Sequence, residues 1–237
     1  MAEPSFLQPF VLATDAVDPA HEDALDLYLP TETPAPAIVL VHGGPVPGHI
    51  TVRPPSWPAF AGYGALAAHA GAVGVMFEHG YSSPEAIDRA AADVAAAVEG
   101  ARRHPSVDAE RVLLWFFSGG GVLAGQWLAD PPPWLAGVAL TYPMLAHYDE
   151  ITSDVVSPVD AVRGRVDVPV LLTRVEHEHD WIKLSQSEFL DAARDSGTRV
   201  DVIDVPGAQH GFETVDDTDA ARAAITEALA WAWATLA

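Results

Sequence analysis

The sequence contains no cysteine, and only one of its 12 basic residues, Lys183, is a lysine. Without cysteine the chain forms no disulfide, offers no thiolate to a metal and has no cysteine nucleophile. No apolar run approaches the ~18 residues that a membrane span requires. The N-terminal stretch has Glu3 before any basic residue, so it lacks the basic start of a signal peptide. These absences predict a cytoplasmic protein.

Positive charge is also scarce, because 33 acidic residues face 12 basic ones and the formal net charge is −21. Such a chain repels phosphate backbones and anionic headgroups. We therefore expect neither a nucleic acid nor a membrane as a partner, and a small molecule instead. The 237 residues are 49% hydrophobic and 19% charged, which is typical of a folded chain. We predict a single domain over residues 1–237.

Apolar strand-like runs alternate with helix-like stretches along the chain. Nearly continuous apolar strands, most of them followed by a helix, predict an α/β fold with a mostly parallel sheet covered on both faces. The strands are expected at residues 24–29, 37–41, 72–77, 111–117, 135–140, 168–175 and 199–205. The helices are expected at residues 60–70, 84–99, from 118 to about 129, 188–195 and 218–236.

Ser118 stands where the predicted strand 111–117 turns into Ser118-Gly119-Gly120-Gly121. A sharp strand-to-helix turn projects a side chain above the sheet and directs the next amides to the same space. This position favours a nucleophile, although a serine before a helix is most often only an N-cap. His210, in the loop after the last strand, is a candidate base because histidine is the residue type whose ordinary pKa suits proton transfer at neutral pH.

A carboxylate that orients this histidine should follow the strand 168–175. Three acids lie there, in Glu176-His177-Glu178-His179-Asp180. The alternation of His and acid also leaves a metal site open as an alternative, although this loop spacing is weaker evidence than a helical pair. After the strand 37–41, His42-Gly43-Gly44-Pro45 can point amides at an oxyanion. Because Pro45 has no N–H, Gly44 is the expected donor, together with the amide of Gly119.

The order of these motifs resembles the α/β-hydrolase superfamily and, within it, the dienelactone-hydrolase-like branch. The motifs follow one another as His42-Gly43-Gly44, Ser118-Gly119-Gly120-Gly121, an acid, and Gly207-Ala208-Gln209-His210-Gly211-Phe212. The resemblance implies an α/β-hydrolase fold without a large cap domain, Ser118 as nucleophile and His210 as base. The family's acid stands about nine residues after the proline that opens the strand. Counted from Pro169, that position is Glu178, with Asp180 second and Glu176 third.

Two positions depart from this family. Phe116 replaces the first glycine of the Gly-x-Ser-x-Gly motif, so the elements beside it must shift or be small. Dienelactone hydrolases proper use a cysteine, whereas this chain offers only Ser118.

The substrate is expected to lie near the strand ends and beneath a short lid-like insertion at residues 142–167. The predicted pocket residues are Phe117, His79, Tyr81, Tyr148 and Trp181. They favour a mostly apolar acyl group in an ester, lactone or thioester. We expect a serine hydrolase without cofactor or metal. Acyl transfer or cyclisation at the same site, or a non-catalytic ligand-binding relative, are the alternatives, and a homodimer is left open.

Overall fold

One eight-stranded sheet forms the centre of the protein, with the strand order β1-β2-β4-β3-β5-β6-β7-β8. A computed structural model describes residues 4–146 and 153–237. Strands β3 to β8 run parallel, whereas β1 and β2 form an antiparallel edge beside β4. The strands are β1 (Ala20–Glu22), β2 (Leu25–Tyr28), β3 (Ala35–Val41), β4 (Val73–Phe77), β5 (Val107–Phe117), β6 (Leu135–Thr141), β7 (Val170–His177) and β8 (Val200–Gln209).

Helices cover both faces of this sheet, as the sequence predicts. The α-helices are α1 (Pro58–His69), α2 (Ile87–Arg103), α3 (Gly125–Ala129), α4 (Pro158–Ala161), α5 (Asp180–Ser196), α6 (Phe212–Val215) and α7 (Asp219–Leu236). Short 3₁₀ helices cover Ser5–Leu7, Pro54–Ser56, Pro84–Ala86 and Ser118–Ala124. Among the described residues, no helix is both long and apolar enough to cross a bilayer.

Strand periodicity divides the core into two layers. On β5, Leu114 and Phe116 join the layer that contains α2 and α5, while Trp115 and Phe117 join the layer that contains α1 and α7. Successive strand side chains point to opposite faces, so two adjacent phenylalanines end in different layers. Both layers are well filled, and Phe116 and Phe117 are almost completely buried.

Several predicted boundaries were wrong. The helix predicted from Ser118 begins as the 3₁₀ helix, and only Gly125–Ala129 is α-helical. Residues 188–195 do belong to a helix that Gly197 ends, but this helix, α5, begins earlier, at Asp180, where a carboxylate is favourable beside the helix dipole. Strand β8 continues to Gln209, so His210 follows the strand directly. Strand β1 was not predicted, because three residues give too short a pattern.

Within the predicted insertion 142–167, the structure describes α4 and its flanks. Tyr148 lies outside the described residues, and the lid function of this segment stays a prediction.

Candidate active site

Ser118 occupies a strained elbow between β5 and the 3₁₀ helix. Its φ of 50° lies in the left-handed region, which is unusual for a residue with a side chain. The neighbouring glycines allow close backbone approach: a Cβ on Gly119 would lie 1.8 Å from the Gly44 carbonyl oxygen. A Cβ on Gly120 would lie 2.2 Å from the carbonyl oxygen of His42. The Gly-rich sequence is therefore required for the elbow to meet the loop after β3.

Ser118, His210 and Glu178 form a continuous hydrogen-bond chain. The hydroxyl of Ser118 lies 2.6 Å from His210 Nε2, and His210 Nδ1 lies 2.7 Å from Glu178 Oε2. With the ring proton on Nδ1, His210 donates to the carboxylate and accepts from the serine. The imidazole is 27% exposed and the Glu178 side chain is 0% exposed, so the serine end of the chain faces outward. This arrangement can move a proton from the serine to the imidazole.

The three candidate acids have different surroundings. Only Glu178 contacts His210, and its second oxygen accepts from the amide of His179 at 2.8 Å. Asp180 is exposed in the first turn of α5. Glu176 accepts from the amide of Gly207 at 2.8 Å, which fixes the end of β8 shortly before His210. The structure thus places the first-ranked acid against the imidazole and gives Glu176 a bracing contact.

The two predicted oxyanion donors stand beside each other. A Cβ on Gly119 would lie 3.1 Å from the Gly44 nitrogen, so the backbones of the two residues are in close contact. Gly119 is the second residue of its helix, where an amide has no acceptor within the helix. In the described part of the chain, the Gly44 amide donates to no other group. Among the described residues neither amide donates to an acceptor, as the prediction of an oxyanion site at Gly44 and Gly119 requires.

Two stacked histidines hold the loop after β3. The rings of His42 and His79 lie 3.6 Å apart at an interplanar angle of 11°. His42 Nδ1 donates to the Gly43 carbonyl at 2.6 Å, and its Nε2 accepts from the His79 amide at 3.2 Å. His79 Nε2 donates to the His42 carbonyl at 2.9 Å. These contacts require one neutral tautomer for each ring.

Burial sets the charge of this stack. It lowers the pKa of His79 to about 4, and it lowers the pKa of His42 well below 6.5, with a further contribution from His79. Tyr81 completes the support, because its carbonyl accepts from Val46 at 2.8 Å and its ring packs against Gly44. The loop that carries Gly44 is therefore anchored by neutral, buried groups.

The residues predicted to line the pocket are found in several settings. His79 and Tyr81 are buried beneath the Gly44 loop, and Phe117 packs edge-on against Phe60 and stacks on Trp115. Their described contacts are with the protein interior, where they support the site from below. Trp181 is half exposed and stacks on His179. The ring of His179 in turn lies beside the imidazole of His210. Tyr148 lies outside the described residues.

Phe116, the departure from the family motif, is completely buried. It belongs to the layer that includes the alanines Ala90, Ala91 and Ala97 of α2. The same helix also contributes Ile87, Val94 and Val98 to this layer, so the expectation that the elements beside Phe116 must be small stays a prediction.

Sequence reasoning missed two buried residues beside His210. The Tyr142 hydroxyl donates to Glu213 Oε1, and the Tyr142 ring lies 4.5 Å from the imidazole of His210. Neither residue belongs to a recognisable motif. The one available signal was an acid three residues after His210, which is common on a surface.

The alternating His and acid segment does not gather into a ligand set. Within residues 4–146 and 153–237, no three His, Cys, Asp or Glu side chains are placed to hold a metal ion. Cavities of about 640 Å³ beside α2 and about 540 Å³ beside α5 are lined by residues other than Ser118 and His210.

The chain matches a known protein family over most of its length. The model of the dienelactone hydrolase family matches residues 26–236. Among curated proteins, none matches the chain.

Three solved esterases share the fold. Esterase 2 of Thermogutta terrifontis is 22% identical with a TM-score of 0.67, over 88% of this chain and 86% of that one. A thermostable esterase of Pseudomonas putida is 17% identical with a TM-score of 0.72, over 94% and 82%. A hyperthermophilic esterase of Pyrobaculum calidifontis is 18% identical with a TM-score of 0.73, over 90% and 82%. The predicted α/β-hydrolase fold is confirmed.

Proposed function

This chain belongs to the dienelactone hydrolase family and is a hydrolase of ester-type bonds; we propose that it acts through an acyl-enzyme on Ser118. The observation that carries the proposal is the chain of two short hydrogen bonds, 2.6 Å and 2.7 Å, from Ser118 through His210 to Glu178. A serine becomes nucleophilic when a base accepts its proton and an acid orients that base.

In the acylation step, Ser118 Oγ attacks the carbonyl carbon while His210 Nε2 takes the serine proton. Glu178 stabilises the imidazolium through Nδ1, and the amides of Gly44 and Gly119 bind the oxyanion. His210 then gives the proton to the leaving oxygen or sulfur, and the bond between the acyl carbon and the leaving group breaks. The acyl group remains on Ser118.

In the deacylation step, water attacks the acyl-enzyme and His210 takes a proton from this water. Collapse of the second tetrahedral intermediate breaks the bond to Ser118 Oγ, which regains its proton from His210. The products are a carboxylic acid and an alcohol or thiol. These steps use only groups of the chain itself, and a substrate hydroxyl or amine in place of water would give acyl transfer or cyclisation.

We propose a neutral, mostly apolar acyl group as the substrate class. The net charge of −21 disfavours anionic substrates through long-range repulsion. Aromatic residues, including Trp57 next to the buried His42 ring, support apolar contacts near the elbow. Esters, lactones and thioesters of this kind all contain the acyl carbon that Ser118 would attack.

Labelling with a fluorophosphonate, followed by peptide mass spectrometry, tests the nucleophile. A similar structure, the Thermogutta terrifontis esterase 2, is described as phosphorylated by paraoxon, which supports this reagent class. We expect the label on Ser118 and no label in Ser118→Ala. The same variant should lose hydrolysis of p-nitrophenyl esters, apart from the residual catalysis of ~10³–10⁴ over water that oxyanion donors can supply.

Wild-type turnover in a purified Ser118→Ala protein would overturn the acyl-enzyme proposal. An ester series of increasing chain length, with lactones and thioesters beside it, defines the acyl group. Product analysis with an added alcohol separates hydrolysis from acyl transfer.

A further inference from the structure

A buried phenol–carboxylate pair lies directly behind His210. Tyr142 follows β6, and Glu213 lies in α6, three residues after His210. The Tyr142 hydroxyl donates to Glu213 Oε1, and the Tyr142 ring packs against the imidazole with 4.5 Å between centroids and 56° between planes. Tyr142 and Glu213 are 6% and 3% exposed. The Tyr142 ring therefore packs against the base on a side that Ser118 and Glu178 leave open, with Glu213 held behind it.

The backbone of Tyr142 is held in a strained conformation. Its φ is 36°, and among the described residues only Asp23 and Ser118 are other non-glycine residues with positive φ. The Tyr142 amide donates to the Thr173 carbonyl at 2.8 Å, and the Glu213 carbonyl accepts from Val11 at 2.9 Å. Strain of this kind persists where surrounding contacts fix it, and it concentrates at functional sites. Two of these three positions lie at this site.

Glu213 is an unusual buried acid. Its Oε2 is buried and has no hydrogen-bond partner among the described residues. The charged or titratable groups that face it are Tyr142, Tyr63, His210 and Asp216, while Glu178 faces Tyr142. Of these groups, His210 alone can become a cation.

Glu213 and His210 are also close enough to interact electrostatically. Burial raises the pKa of Glu213 to about 7, and the nearby imidazole lowers it from a still higher value. The Glu213 carboxyl group therefore changes its charge near neutral pH.

We infer that Tyr142 and Glu213 are positioning residues for His210: the Tyr142 ring fixes the imidazole plane, and ionised Glu213 adds a second negative charge that stabilises the imidazolium. The inference rests on the proposed function, because the imidazolium forms when Ser118 transfers its proton to Nε2. Glu178 contacts the imidazolium directly, whereas Glu213 acts through Tyr142 and through space.

Glu213→Gln tests this inference, because glutamine keeps an oxygen that accepts from Tyr142 and removes the charge. We expect kcat for an ester to fall about tenfold with little change in KM, since one nearby opposite charge can shift such an equilibrium by about one pH unit. The acid limb of the kcat/KM profile should move to lower pH, because the imidazolium loses a stabilising charge. Tyr142→Phe should move it in the same direction, since Glu213 then loses its partner and its neutral form is favoured.

Asp217→Asn is the matched control. Asp217 lies close to Glu213 in sequence, but it is exposed and paired with Arg222, so its pH profile should match the wild type. Proton NMR titration of His210 Cε1–H, assigned with His210→Asn, gives a readout that does not depend on turnover. We expect its midpoint to fall in Glu213→Gln.

Profiles and NMR midpoints of Glu213→Gln and Tyr142→Phe that superpose on the wild type would overturn the inference while the proposed function stands. If Glu213→Gln does not fold, Tyr142→Phe carries the same prediction. If the wild type neither hydrolyses esters nor takes the fluorophosphonate label, the proposed function fails, and the NMR midpoints still decide whether Glu213 and His210 are coupled.

Discussion

The stacked histidines beneath the Gly44 loop should make folding sensitive to acid. Burial lowers the pKa of His79 from 6.5 to about 4. As the pH falls, the unfolded chain therefore binds the proton before the folded chain does, and the folded state loses stability between the two values. The shift corresponds to about 3 kcal/mol over the whole window, of which about 2 kcal/mol is lost by about pH 5.

Glu213 acts in the opposite direction, and the experiment must separate the two. Its pKa is raised from 4.5 to about 7, so the folded chain binds that proton first and gains stability as the pH falls through the same window. His42, whose pKa is also lowered, adds to the loss on acidification, so the wild-type stability alone does not isolate the contribution of His79. His79→Gln removes one titrating group, and the glutamine amide can still donate toward the His42 carbonyl.

Urea unfolding followed by tryptophan fluorescence, at about pH 7.5 and about pH 5, gives the comparison. Relative to His79→Gln, the wild type should lose about 2 kcal/mol of unfolding free energy on acidification. His49→Gln, which replaces an exposed histidine, is the control and should follow the wild type. If the wild type and His79→Gln change their unfolding free energy equally between the two pH values, burial does not hold His79 neutral.

Two further substitutions test the site and the elbow. Glu178→Gln should lower ester turnover by up to ~10⁴, whereas Asp180→Asn should leave it nearly unchanged, because only Glu178 contacts His210. The measurement is kcat of the two purified variants. An equal loss of kcat in both would contradict the assignment of Glu178. Phe116→Gly should lower the free energy of unfolding by ~3–5 kcal/mol through a cavity and by about 1 kcal/mol more through glycine entropy, because Phe116 is 0% exposed. An unchanged melting temperature would show that the buried ring contributes little to the packing of its core layer.

The order of elements was predictable because it depends on local patterns. Apolar runs of strand length, glycines after Ser118 and the glycine that ends α5 each express a short-range requirement of the backbone. Gly197 indeed adopts a left-handed conformation with φ of 77° at the end of its helix. The position of His210 after the last strand also followed from sequence, since parallel strands bring their carboxyl ends to one edge.

The choice among the acids depended on more than pattern. Spacing from Pro169 favoured Glu178 through family resemblance, but Glu176, Glu178 and Asp180 are equivalent as local sequence. Their roles separate only because β7 ends with a register irregularity and α5 starts at Asp180. One carboxylate is thereby buried against the imidazole, one is exposed and one braces Gly207.

Only the tertiary structure decided which residues pack behind Ser118 and His210 and hold the site in place. The His42–His79 stack joins the loops that follow β3 and β4, and the Tyr142–Glu213 pair joins the end of β6 to α6. These contacts span 37 and 71 positions in sequence, and they exist because the sheet order makes β3 and β4 neighbours and because α6 folds back on the β6 end. A sequence specifies which side chains are available, whereas the packing of distant elements decides which of them meet and lose contact with water.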